Sequence, residues 1–182
     1  RLCETPRSFT RCTWNLKPPN FKKTKGSFRE ALAVTPTPFL PQASADLQDK
    51  LGDVLMAEGA STTSEAGIEL FSQARTAYQA ALTVFTKDLF PQTWAKTSGK
   101  IGVALFMSGQ FSTAREQFTI LLQGKELNSN VRVRLLAAQV VNSVALGRSE
   151  DVQHSFDALQ QTLSKQTPDF SIARSFSARN HS

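Results

Sequence analysis

The sequence predicts an all-α fold in which antiparallel helix pairs stack on one another. Three observations predict it: a pattern of small and apolar residues that recurs at offsets of 40 and 38 residues, glycines placed where apolar stripes end, and apolar residues spaced by three and four over several turns. Stacking follows because a single helix pair cannot bury its apolar face without a neighbour.

The clearest copy of the pattern lies between Leu89 and Leu122. Its first helix carries Ile101 and Leu105 on one stripe and is expected to end at Gly109, because glycine enters the left-handed conformation without a steric cost. Ser112 is the expected N-cap of the second helix. The inward positions of that second helix are Ala114, Phe118 and Leu121.

Further copies lie on both sides of this pair. The upstream second helix places Ala74, Tyr78 and Ala81 40 residues before the central inward positions. Its first helix carries Leu51-Gly52, and ten extra residues separate the two helices, so the polar stretch 58–64 is predicted to be an exposed loop. The downstream copy, with Phe156, has a weak first helix, as is typical of a terminal repeat.

The helices before the central pair follow from local signals. A short helix is predicted from Ser27 to Val34, where the Pro36-Thr37-Pro38 segment ends it. The next is predicted over 44–57, with Ser44 as N-cap. A third, expected to be the longest, is predicted over 64–85 because apolar and small residues keep helical spacing there.

Two more helices are predicted after the central pair. Asn128 to Asn130 should cap a helix over 131–146, which is expected to be buried between neighbours because its apolar face is wide. That face comprises Val133, Leu135, Leu136, Ala138, Val140, Val141 and Val144. The last strong helix starts at Ser149. The predicted domains are therefore a basic, proline-containing arm at 1–26, a helical repeat domain at 27–166 and a capping segment or tail at 167–182.

Two stretches of the central copy carry a family resemblance. They read FPQTWAKT at 90–97 and IGVAL at 101–105. Residues 45–123 with these motifs resemble the tetratricopeptide repeat (TPR) arrays common in bacterial proteins. The resemblance implies a short right-handed superhelix of helix pairs whose first helices line a concave groove. It also implies a scaffold or adaptor that binds a protein or peptide there.

The groove positions implied by this resemblance carry charges of both signs. They are Asp46, Asp49, Asp53, Lys96, Lys100, Val103, Phe106 and Arg134. A groove acidic at one end and basic at the other suits a peptide of mixed charge, whereas a solvated charged face is the plain alternative. The clamp that this family uses for an acidic carboxyl terminus is not expected, because Asp49 and Asp53 would repel a carboxylate.

The net charge of +6 is concentrated at the amino-terminal end. Residues 1–29 hold eight Lys or Arg against one acid, whereas the remaining residues hold thirteen against fourteen. The alternative function is therefore binding of nucleic acid or an anionic membrane, and a solvated linker is the plain interpretation. The residues that would meet phosphates are Lys22, Lys23, Lys25 and Arg29.

Other function classes are not favoured. The chain has no nucleophile motif, glycine-rich phosphate loop or C-x2-C metal signature, so we expect no enzyme, no cofactor, no metal and no small-molecule substrate. Cys3 and Cys12 are either free thiols, which slightly favours the cytoplasm, or a local disulfide in an oxidising compartment. The first residue is not methionine, which favours a processed product or a fragment. A homodimer through the open ends of the array is a further assembly to test.

Overall fold

The structure, a computed structural model, describes residues 20–35, 37–62, 65–124 and 127–166. These residues form seven α-helices and no strand. The helices are α1 (Phe21–Val34), α2 (Pro41–Ala60), α3 (Glu65–Leu82), α4 (Pro91–Met107), α5 (Phe111–Leu122), α6 (Ser129–Ala145) and α7 (Ser149–Gln166). Predictions for the arm before Asn20, including both cysteines, and for the tail after Gln166 lie outside the described residues.

Each helix packs against the next one along the chain, and two additional contacts join α2 to α4 and α4 to α6. These two contacts place the first helices of successive pairs side by side. The predicted all-α fold of stacked helix pairs is thereby confirmed. No described helix has both the length and the apolar character that a membrane span requires.

One hydrophobic core runs through the stack from α2 to α6. Its fully buried members include the residues that the repeat pattern predicted, and burying a large apolar side chain of this kind contributes about 1.5–3 kcal/mol. They are Leu51, Leu55, Ala74, Tyr78, Ile101, Leu105, Ala114, Phe118, Leu121 and Leu135. A smaller cluster joins Ala45, Ala81 and Phe85, and the Phe90 ring meets the Phe85 ring edge-on at 5.5 Å.

A glycine on the first helix receives an aromatic ring from the second helix in two of the pairs. The Tyr78 ring lies over Gly52, and the Phe118 ring lies over Gly102. A Cβ atom at Gly102 would lie 2.5 Å from Cε1 of Phe118, a distance that no packed side chain tolerates. The two helices therefore approach closely in both pairs.

The ten extra residues of the upstream pair lengthen its helices. Helix α2 extends three residues further beyond Gly52 than α4 extends beyond Gly102. Helix α3 begins six residues further ahead of Tyr78 than α5 begins ahead of Phe118, and the linker between the two helices is one residue longer. The prediction of an exposed loop is wrong for residues 58–60, which form the last turn of α2. Gly59 packs there against the Phe71 ring, which adds one more layer to the helix pair.

Glycine ends two of the first helices as the spacing predicted. Gly109 and Gly147 have φ of +78° and +67°. The next N–H in each case returns to a carbonyl of the last turn, from Gln110 to Leu105 at 2.9 Å and from Arg148 to Ser143 at 3.1 Å. The predicted N-cap at Ser112 is wrong, because α5 already begins at Phe111.

Two helices begin earlier than predicted because other residues start them. Asn20 accepts the Lys23 N–H at 3.0 Å, so α1 begins at Phe21 and includes residues assigned to the arm. Pro41 occupies the first turn of α2, where the fixed φ of proline matches that of a helix. Ser44 is therefore buried within the helix and is not its cap. Helix α2, with 20 residues, is the longest described; α3 ends at Leu82.

The last helix pair buries fewer apolar residues than predicted. Asn128 caps α6 as expected, accepting the Val131 N–H at 2.9 Å. However, Val141 and Val144 are 53% and 62% exposed, and Phe156 of α7 is 45% exposed. Within the described residues α7 packs on α6 and is joined to α5 by the Arg115–Asp151 ion pair at 3.0 Å, and no further helix covers its other face.

Candidate functional site

The first helices α2, α4 and α6 border a groove with a volume of about 470 Å³. It is open to solvent. Its lining comprises Asp53, Met56, Tyr78, Lys96, Gly99, Lys100, Val103, Phe118, Asn128, Asn130, Val131, Arg134, Leu135 and Ala138.

The floor of the groove is apolar. Val103 on α4 faces Val131 and Ala138 on α6, and Met56 extends the apolar surface toward α2. Leu135 of α6 packs against the backbone of α4 at Gly99, where a Cβ atom would lie 2.7 Å from Cδ2 of Leu135. The absence of a side chain at Gly99 therefore leaves room for Leu135 between the two helices.

A cluster of five polar residues joins α2, α3 and α4 at one end of the groove. The Lys100 Nζ atom lies 2.7 Å from Asp49 Oδ2 and 2.7 Å from Asp53 Oδ1. The Thr97 hydroxyl donates to Asp49 Oδ1, and the Tyr78 hydroxyl donates to Asp53 Oδ1, each at 3.0 Å. The Lys100 ammonium also lies 5.3 Å from the Tyr78 ring centroid.

This cluster changes the predicted charge of the groove. Asp49 is only 8% exposed and faces α4, so it holds two helices together and does not face solvent. Because Lys100 pairs with both aspartates, the acidic end predicted from the sequence is partly neutralised. Burial, and then the charge and hydrogen bond of Asp53 with a smaller effect of Asp49, raise the pKa of Tyr78 well above its ordinary value.

Two cations of the groove have no such compensation. Lys96 on α4 and Arg134 on α6 are exposed, line the groove, and make no ion pair within the described part of the chain. The lining thus holds one carboxylate, Asp53, against the three cations Lys96, Lys100 and Arg134. The groove is positive along α4 and α6.

The structure places only some of the remaining predicted groove residues in the groove. Val103 lines the groove, but Asp46 and Phe106 do not. Asp46 is exposed on the first half of α2, and the Phe106 ring instead packs on the Phe111 ring at 5.4 Å. Met56, which the sequence analysis missed, does line the groove, whereas Phe106, its equivalent 50 residues later, does not, so the repeat offset alone could not have identified it.

The proposed anion-binding residues all lie on α1. Lys22, Lys23 and Arg29 are exposed there. The Lys25 ammonium, however, contacts Glu58 Oε2 of α2 at 2.5 Å, and its side chain is only 16% exposed. Lys25 therefore attaches α1 to α2, which leaves three of the four predicted cations facing solvent.

The polar cluster is not arranged as a metal site. Among the described residues, no group of three or more His, Cys, Asp or Glu side chains lies close enough to hold a metal ion. In comparisons with known proteins, no family model matches the chain, and no curated protein matches it either.

Proposed function

We propose that this protein is a non-enzymatic, TPR-like interaction module that holds a segment of a protein partner in the groove between α2, α4 and α6. One observation carries the proposal: an open groove with an apolar floor and charged rim lies where successive first helices meet. Grooves of this kind bind chain segments through apolar anchors and polar contacts at the rim.

The polar cluster beside the groove supports a binding role over a catalytic one. An acid or base catalyst needs a group that can exchange a proton with the substrate. Here Asp49, Asp53 and Lys100 are held by bonds to one another and to neighbouring hydroxyl groups. These bonds stabilise the helix stack and leave the carboxylates poorly placed for chemistry.

The openness of the groove favours a chain segment over a small molecule. Sites for small molecules bury most of the ligand surface. This groove leaves one side facing solvent, which a peptide tolerates because the rest of the partner continues into water.

A second candidate is binding of nucleic acid or an anionic membrane at the amino-terminal end. It is favoured by Lys22, Lys23 and Arg29, which are exposed on the single helix α1. Such binding would weaken steeply with ionic strength, whereas contacts with an apolar floor would persist.

Site-specific photocrosslinking distinguishes these candidates. A photoreactive phenylalanine replaces either Ala138, in the groove, or Gln79, exposed on α3, and crosslinking is carried out in the host cell. We expect a protein adduct from position 138 and none from position 79. An excess of the protein without the photoreactive group should reduce the adduct by competing for the partner. Equal adducts from both positions, or adducts only with nucleic acid, would contradict the proposal.

A further inference from the structure

We infer that the segment held in the groove carries an acidic side chain beside an apolar one, with the apolar residue on the floor and the carboxylate at Lys96 and Arg134. The inference rests on the proposed function, and it names the chemistry of the partner. It differs from the sequence-based expectation of a mixed-charge peptide because the structure changes which charges the groove offers.

Lys100 is not available to a ligand. Its ammonium already contacts Asp49 Oδ2 and Asp53 Oδ1 at 2.7 Å each, and its side chain is 20% exposed. A ligand carboxylate at Lys100 would have to approach both aspartates as well. Like charges at such distances repel, so this end of the groove does not attract an anion.

Lys96 and Arg134 offer the opposite situation. Both are exposed at the groove and neither has an anionic partner within the described residues. A bound segment removes water from these cations, which is unfavourable unless the segment supplies a compensating anion. Arginine in particular matches a carboxylate through two parallel N–H bonds.

The apolar floor beside these cations selects the neighbouring residue of the ligand. Val103, Val131 and Ala138 line the same groove as Lys96 on α4 and Arg134 on α6 and present apolar surface there. An apolar side chain covers that surface, so acidic and apolar residues must lie close together in the ligand sequence.

The carboxylate belongs to a side chain within the segment. The two free cations lie on different helices that both line the open groove, so side-chain carboxylates of a segment lying along the groove can reach them. A terminal carboxylate would need several donors around one point, and the third cation of the lining is already bound by Asp49 and Asp53.

Selection from random peptides tests this inference directly. One phage library fuses the carboxyl end of each peptide to the coat protein, so only side-chain carboxylates are present, and a second library leaves the carboxyl end free. Both libraries are selected for binding to the intact chain. A peptide recovered in the first round is then added as a competitor for binding. We expect the fused library to yield peptides enriched in Asp or Glu next to Leu, Ile, Val, Phe or Met.

The variant Lys96→Glu/Arg134→Glu supplies the second readout. It should bind the selected acidic peptides at least about tenfold more weakly, because two attractive ion pairs are replaced by two repulsive ones. Lys87→Glu/Lys165→Glu makes the same change in net charge at exposed positions outside the groove and should bind as the unchanged protein does. The neutral variant Lys96→Gln/Arg134→Gln should show an intermediate loss.

Each contrary result has a distinct meaning. Recovered peptides that are neutral or basic, or binding unaffected by the reversal at Lys96 and Arg134, would overturn the inference and leave the proposed function standing. Binders found only in the library with free carboxyl ends would also overturn it. If neither library yields peptides that a photoreactive group at position 138 captures, both the inference and the proposed function fail.

Discussion

At Gly102 the backbone of α4 lies so close to the Phe118 ring that no methyl group fits between them. The sequence already indicated this contact, because a small residue and an aromatic residue recur at the same places in two copies. Residue-scale prediction worked here because both partners belong to one helix pair and are related by local spacing. It is the glycine that makes the large ring acceptable in the core.

The variant Gly102→Ala should be less stable than the unchanged protein by up to about 2 kcal/mol. Overpacking in a core costs about 1–3 kcal/mol, and the higher helix propensity of alanine returns about 1 kcal/mol. Urea unfolding followed by circular dichroism measures the difference.

Gly26→Ala is the matched control for that substitution. Gly26 also lies within a helix, but a Cβ atom there would meet nothing within 4 Å, so the propensity gain of up to about 1 kcal/mol should appear alone. If Gly102→Ala were as stable as Gly26→Ala, the close packing described for the Phe118 ring would be wrong.

Among the helices, the contact of α2 with α4 depends on Lys100. No sequence rule pairs this residue with Asp49, since the two are 51 positions apart and meet only after the helices stack. The sequence correctly indicated that both residues lie on first helices. It misjudged their surroundings because a charged residue on a predicted helix face can face either solvent or the next helix.

Replacing Lys100 with Met should cost about 2–3 kcal/mol in the free energy of unfolding. The change leaves two carboxylates close together, with the Asp49 side chain only 11% exposed, and an unpaired buried charge is strongly unfavourable. Adding Asp49→Asn to Lys100→Met should recover part of the loss, which a double-mutant cycle measures.

The control for this prediction is Lys50→Met. Lys50 lies 3.8 Å from the same Asp53, but its side chain is 58% exposed, so its loss should change stability by no more than about 0.5 kcal/mol. Equal losses for the two lysine variants would show that the cluster does not couple α2 to α4.

Helix boundaries were less predictable than helix existence. Residues 58–60 looked like a loop because they are small and polar, yet Gly59 is buried against the Phe71 ring. Tertiary packing decided this case, since an exposed turn of the same composition would gain little from helix formation. The starts of α1 and α2 moved for a different reason, namely that Asn20 and Pro41 are stronger initiators than the residues chosen from the pattern.

In the whole molecule, the burial of a helix depends on what lies beside it. The weak first helix of the third pair indicated a terminal repeat, but the wide apolar face of that helix was expected to be buried between neighbours. Val144 and Phe156 are instead largely exposed because α6 and α7 have one open side among the described residues. The groove raises the same difficulty, because its charge follows from contacts between pairs.

Tyr78 gives a spectroscopic test of the whole stack, because it is the sole tyrosine of the chain. It belongs to α3, packs on Gly52 of α2 and lies beneath Lys100 of α4. Its pKa is raised on folding, so its contribution to stability is complete below the unfolded value of about 10 and is lost as the pH rises beyond it.

We therefore expect tyrosinate absorbance to appear together with loss of helical circular dichroism as the pH is raised above about 10. The urea-unfolded chain, titrated in parallel, should ionise near pH 10 without a coupled structural change. Tyrosinate formation while the helices remain intact would contradict the burial of this phenol.

The two glycine–ring contacts also bear on how this sequence can change over evolutionary time. A larger residue at Gly52 or Gly102 becomes acceptable when Tyr78 or Phe118 is replaced by a smaller one, and the reverse order creates a cavity that the glycine cannot fill. Neutral drift at these positions should therefore proceed in pairs. In an alignment of related sequences, two pairs of positions should vary together: Gly52 with Tyr78, which are 26 positions apart, and Gly102 with Phe118, which are 16 positions apart.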